Sequence, residues 1–280
     1  AGGSNAWGRT ARLLADADTA FLGSPRPGGL ALEGDLLAAG NYWDTGMAGT
    51  GGVRVFREYA CPEWALLKRI TPTGPATNGE FGTAVALDES LLLGGRPGAT
   101  TAAPFDGGHV SFERNLGGAD AWGQRLAAGE GGASATNAHA GRALAASSRH
   151  QVIASPGYNG CGRIDIRDSV IGGGLTTQKL LPSPDQESGE EFGAAVAIWD
   201  EVVLAGSPLN DTAGSAAGAG FLFSRNQGGA DNWGLIRRLA PSPLPATAEF
   251  GRSAALYRDL AVVGAPYEED FVDGLGAVYV

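Results

Sequence analysis

The residues able to do chemistry are few and scattered. Three histidines (His109, His139 and His150) and two cysteines (Cys61 and Cys161) fall in no Cys/His arrangement, and neither GxSxG nor HExxH occurs. Without a motif for catalysis, the chain reads as a non-enzyme with no cofactor and no metal. The densest carboxylates lie between Tyr267 and Asp273, a run that could hold a cation or meet an arginine-rich partner but is more often solvated surface. Glycoside hydrolysis needs paired carboxylates across a sugar cleft, and the spacing within a single loop gives no such geometry. Asn210-Asp211-Thr212 fits the glycosylation triplet, although nine asparagines make an accidental match expected.

The scaffold that would carry any site is read from composition. Glycine contributes 46 of the 280 residues and proline 15, yet 43% of the chain is hydrophobic, which argues against disorder. The glycines have no G-X-Y period, which excludes collagen, and no apolar run approaches the roughly 18 residues of a membrane span. A glycine-rich chain of this kind turns sharply and often, and is expected to be all-β. Thirty acidic against twenty basic residues give a net charge of −10, with Lys68 and Lys179 the only lysines. An acidic surface without a basic stripe repels phosphate, so neither nucleic acid nor membrane insertion is expected. With Ala1 first and no charged, apolar leader, the chain is expected to be a mature or trimmed product whose targeting segment, if any, is already gone.

Self-comparison supplies the architecture. RNLGGADAWG (Arg114 to Gly123) and RNQGGADNWG (Arg225 to Gly234) agree at eight of ten positions, and the N-terminal AGGSNAWG is a third, partial copy. FGTAVALDESLLLGGRP (Phe81 to Pro97) is echoed by FGAAVAIWDEVVLAGSP (Phe192 to Pro208) and FGRSAALYRDLAVVGAP (Phe250 to Pro266), with weaker copies at His139 to Pro156 and Arg26 to Tyr42. The second residue of each FG-like pair (Pro27, Gly82, Gly141, Gly193, Gly251) recurs at steps of 55, 59, 52 and 58, and a small residue lies 13 positions on in every copy.

Each copy reads as four short strands: a small-residue strand and an aliphatic strand joined by a tight polar turn, a third after a glycine, and a fourth opening at an aromatic residue or leucine. Units of about 50–60 residues, too small to bury both faces of their own sheet, are the blades of a propeller. The expectation is an all-β, five-bladed β-propeller of four-stranded antiparallel blades. It would form a single domain over 1–280, with repeats at approximately 26–80, 81–138, 139–191, 192–249 and 250–280 plus 1–25. The last residues match a third strand and the first a fourth. Trp7 to Leu14 is therefore expected to pair with Ala277 to Val280, completing the last blade and leaving no sheet edge open. A piece of a longer array would show the same ends.

With Phe81-Gly82, Phe192-Gly193 and Phe250-Gly251, and with Gly206-Ser207-Pro208 and Gly264-Ala265-Pro266 at the later turn, the chain resembles the FG-GAP repeats that build the propellers of integrin α-chains and many bacterial surface proteins. The resemblance spans essentially the whole chain. It implies a secreted or cell-surface propeller that binds other macromolecules through loops on one face, in adhesion or an extracellular assembly. Many such repeats carry a DxDxDG calcium loop between their first two strands. Here those turns are Glu33-Gly34-Asp35, Asp88-Glu89-Ser90, Ser147-Ser148-Arg149, Asp200-Glu201 and Arg258-Asp259, too poor in spaced oxygens for an ion that takes about 6–8 ligands. No calcium is expected there.

In a propeller the 2–3 and 4–1 loops share one face, and the 1–2 and 3–4 turns the other. The 2–3 loops vary most in length, and variable loops on a rigid scaffold are where binding residues reside. The candidates on that face are Tyr42, Trp43, Asp44, Phe105, Asp106, Tyr158, Asn159, Asn210, Asp211, Tyr267, Glu268, Glu269 and Asp270. A protein partner is the leading expectation. The alternative is a carbohydrate-binding propeller with sites between blades, in which the recurrent Trp7, Trp64, Trp122 and Trp233 would stack on sugars instead of packing blade against blade. An enzyme, the third reading, would need inward carboxylates or histidines at the axial mouth. Cys61 and Cys161 fall on opposite faces in this phasing and are expected to stay unpaired.

Overall fold

The computed structural model describes residues 29–41, 51–60, 63–73, 79–100, 104–125, 135–168, 178–268 and 276–280. Consecutive strands pair with their neighbours in sequence, giving five antiparallel sheets. Blade 1 holds β1 (Leu30–Glu33), β2 (Leu36–Asn41), β3 (Gly52–Ala60) and β4 (Glu63–Ile70). Blade 2 holds β5 (Val85–Leu87), β6 (Leu91–Gly95), β7 (His109–Glu113) and β8 (Gly123–Gln124). Blade 3 follows with β9 (Ala143–Ala146), β10 (His150–Ser155), β11 (Arg163–Asp168) and β12 (Gln178–Pro182), and blade 4 with β13 (Ala195–Trp199), β14 (Val202–Ser207), β15 (Ala219–Ser224) and β16 (Gly234–Leu239). Blade 5 shows three strands, β17 (Ser253–Tyr257), β18 (Leu260–Ala265) and β19 (Ala277–Tyr279). The closing strand expected at Trp7 to Leu14 lies outside the described residues.

First strands pack in succession, β1 on β5, β5 on β9, β9 on β13 and β13 on β17, and all five blades line one cavity on the axis. The molecule is a five-bladed propeller. Crowding at the axis explains why these strands are short and rich in alanine, with ALAA in β9 and SAALY in β17.

The core lies between blades rather than within them. Phe81 packs with Leu36 and Val53 of blade 1, Phe192 with Val152 and Ile166 of blade 3, and Phe250 with Leu204 of blade 4. Blade 3 has Ala140 where blades 2, 4 and 5 have Phe81, Phe192 and Phe250, and its boundary with blade 2 is of a different kind. A small apolar cluster there (Leu91, Leu93, Leu144, Ile153) is joined by buried His109, Arg96, Gln151, Arg163, Asp165 and Arg167. Neither ring nitrogen of His109 has a hydrogen-bond partner.

The repeated RNxGGAD segment that precedes the fourth strand of blades 2 and 4 is a built turn. Asn115 Oδ1 accepts from the Asp120 amide at 3.1 Å, and Asn226 Oδ1 from the Asp231 amide at 2.8 Å. Arg114 and Arg225 close the same turns with ion pairs to Asp120 and Asp231. Asp120 also receives both terminal nitrogens of Arg57, from blade 1, at 3.0 Å each. Arg114 and then Arg57 hold the Asp120 carboxyl below its ordinary value. Its ionised form therefore stabilises the fold above about pH 4, and that contribution is lost as the pH falls through the depressed value. Asp120→Asn should cost about 1 kcal/mol at pH 7 and progressively less toward pH 2, measured by urea unfolding across that range.

Candidate functional site

The face bearing the 2–3 and 4–1 loops is fixed by backbone pairing between neighbouring blades. Residues 104–107 of blade 2 run beside 137–140 at the start of blade 3, with the amides of Asn137, His139 and Ala140 donating to Pro104, Phe105 and Asp106 carbonyls at 2.9, 3.1 and 3.0 Å. The same zipper joins Ser215, Ala216 and Ala217 to Thr247, Glu249 and Phe250. Parallel bridges at Gly51–Phe81, Gly107–Ala140, Gly162–Phe192 and Gly218–Phe250 repeat the contact at every described junction. The zipper holds the residue before each described FG-like pair in the left-handed region: Glu80, His139, Glu191 and Glu249 have φ of 56°, 53°, 56° and 52°.

Within the ring of zippers lies an axial cavity of about 640 Å³ lined by Glu80, Thr83, His139, Arg142, Glu191 and Arg252 among others. This is the mouth at which an enzyme would need inward carboxylates or a histidine, and it has both. Glu191 and His139 have partners within the chain, whereas the Glu80 carboxylate has none among the described residues. Arg252 bonds Glu191 at 3.2 Å and Glu249 at 2.7 Å, and His139 Nδ1 lies 3.3 Å from the Pro97 carbonyl. No group of three carboxylate, histidine or cysteine side chains able to hold a metal converges among the described residues.

The sequence-derived binding residues divide into outward and inward sets. Phe105 and Tyr267 stand exposed, Phe105 with its ring centroid 6.3 Å from that of His139. Asp211 and Asn159 are exposed, and Tyr158 is half-buried beneath the Arg163 guanidinium, 3.9 Å from its ring centroid. Asn210, Asp106 and Glu268 turn inward and are buried. Asn210 donates to Asp185 and Glu190 at 3.0 and 2.8 Å and accepts from Arg238 at 2.7 Å, so its amide nitrogen is closed to glycosylation in the folded chain. Glu268 accepts from the Tyr279 hydroxyl at 2.6 Å. Tyr42, Trp43, Asp44, Glu269 and Asp270 lie outside the described residues, as does Cys61, the proposed non-partner of Cys161.

A family profile described as the FG-GAP repeat matches residues 175–223 and 233–280. Each matched stretch opens at the outer strand of one blade (β12, β16) and closes at the third strand of the next (β15, β19). These two stretches are FG-GAP repeats. No curated protein matches the chain.

In the FG-GAP phasing each motif residue has a mechanical task. The phenylalanine fills the gap between blades, and its glycine is needed where two backbones meet. Gly251 has φ +100°, and a Cβ on the facing Gly206 would lie 2.0 Å from the Gly251 carbonyl oxygen. The recurrent tryptophans serve the same boundaries. Trp122 and Trp233 are buried, and Trp233 sets its ring edge-on to His150 of blade 3, with centroids 5.3 Å apart. The sugar-stacking role considered for them is therefore corrected at these two positions, where the rings are covered by neighbouring blades. Trp64 is half-buried, and Trp7 lies outside the described residues.

Proposed function

We propose that this FG-GAP propeller is a non-catalytic binding module, secreted or displayed at a cell surface, that engages a protein partner through its 2–3 and 4–1 loops. The observation that carries this reading is the zippered loop face, whose backbone is held between neighbouring blades while Phe105 and Tyr267 stand 51% and 55% exposed. A fixed backbone presenting large rings loses little conformational entropy on docking, and aromatic rings are common anchors of protein interfaces. Arg252 ties Glu191 and Glu249 together at the axial mouth, which supports a structural use of these two carboxylates. Closure of the ring by Trp7 to Leu14 belongs to the same proposal. It rests on the three-stranded fifth sheet and on exposed Leu260 and Val278.

A photo-crosslinking residue at Phe105 or Tyr267 should capture the partner in the protein's native extracellular setting. The same group at exposed Tyr59, near the 3–4 turn of blade 1, should not. Equal capture at all three positions would remove the assignment to this face.

A further inference from the structure

The opposite end of the axis carries a ring of five residues, one per blade, at a single repeat position: Glu33, Asp88, Ser147, Trp199 and Tyr257. Each pairs across its 1–2 turn with the residue three positions on: Leu36, Leu91, His150, Val202 and Leu260 respectively. The fold therefore places the same position of every repeat at the mouth of a cavity of about 890 Å³. Positions that serve the fold, such as the FG glycine, keep one residue type in most repeats, whereas this one differs in every blade. The differences are also sorted by side. Neighbouring blades 1 and 2 supply carboxylates, neighbouring blades 4 and 5 supply aromatic rings, and Ser147 stands between them. Trp199 and Tyr257 are both exposed, with ring centroids 4.4 Å apart at an interplanar angle of 64°. No lysine, arginine or histidine is among the described residues lining the cavity.

We propose that this mouth binds an alkylammonium cation, its charge against Glu33 and Asp88 and its apolar stem on Trp199 and Tyr257. Aromatic faces are electron-rich and attract cations, most strongly where water is partly excluded. A concave site whose charged lining residues are all acids also concentrates positive charge. Tyr257 already takes one guanidinium within the chain, that of Arg258, 5.2 Å from its ring centroid. Glu33, Asp88 and the further lining residue Asp200 form no group that could hold a metal ion among the described residues, which suits an extended organic cation. A neutral sugar would use the rings but leave the acidic half unanswered. Burial, with Glu89 nearby, pushes the Asp88 carboxyl up, a cost that a bound cation would relieve.

The cation could come from a free polyamine or from a lysine side chain of a partner, and two probes separate these sources. Spermidine and an acetylated, amidated lysine peptide are titrated into the full chain, with binding read by calorimetry and by tryptophan fluorescence. At least one should bind saturably, and the tighter of the two identifies the source. Affinity should fall at least tenfold in Glu33→Gln/Asp88→Asn and in Trp199→Ala, fall with added salt, and be largely kept in Trp199→Phe. Melting midpoints of the variants check that they fold. Absence of saturable binding by both probes would overturn the proposal. So would binding that the double variant leaves unchanged, or cellotriose binding more tightly than either cation.

Discussion

Replacing Phe192 with alanine should lower the free energy of unfolding by about 3–5 kcal/mol, read from urea denaturation at neutral pH. The ring is fully buried, with centroids 5.6 Å from Phe221 and 6.1 Å from Phe223, both in edge-on contact. It fills the boundary between blades 3 and 4, and its own backbone is bridged to Gly162 of blade 3. Truncation leaves a hole that blades anchored on both sides cannot easily close, so the cavity adds to the lost apolar transfer. Phe192→Leu should cost distinctly less because it keeps most of the volume. A loss below 1 kcal/mol in the alanine variant would mean that blades 3 and 4 repack as independent units.

On acidification the protein should lose stability from His109 alone with a slope of about 0.7 kcal/mol per pH unit at pH 6.5, rising to about 1.4 below about pH 5.5. Burial is the main cause, and Arg167 and Arg96 add to it, lowering the His109 imidazole to about 3. Below the ordinary histidine value near 6.5 the unfolded chain takes up a proton that the folded chain refuses, so acid favours unfolding; above it the term is constant. His109→Phe should flatten the acid limb of the stability curve while leaving the dependence above pH 7 unchanged. His150 contributes in the same direction, because burial outweighs its bond to Asp168, so some slope should remain in the variant. An identical slope in both proteins would place the titrating group elsewhere.

The charged boundary behind that prediction shows where local reading stops. His109, Ser111 and Glu113 alternate along β7 with Val110 and Phe112, which looks like a strand with one wet side. In the ring His109 and Ser111 of that polar side are buried, and the charge of Arg167 from blade 3 acts on His109. Loop residues mislead for a related reason. Asn210 and Glu268 sit in polar loops, yet short hydrogen bonds to Asp185, Glu190 and Tyr279 draw them inward. Asp120 gives the reverse case: the repeated RNxGGAD was visible, but its bond to Arg57, 63 residues away, was not.

The sequence by itself determined the period, the strands, the turns and the glycines that let blades approach, because a four-stranded meander is built from contacts near in sequence and is written afresh in each repeat. It also determined which loops share a face, since that follows from counting strands. Only the tertiary structure decided which side chains of that face point outward and which boundary between blades is polar. It alone brought Trp199 beside Tyr257 opposite Glu33 and Asp88. Those outcomes depend on residues a whole repeat or more apart, meeting across a blade boundary or an axis, and no local pattern of polarity records what stands on the other side.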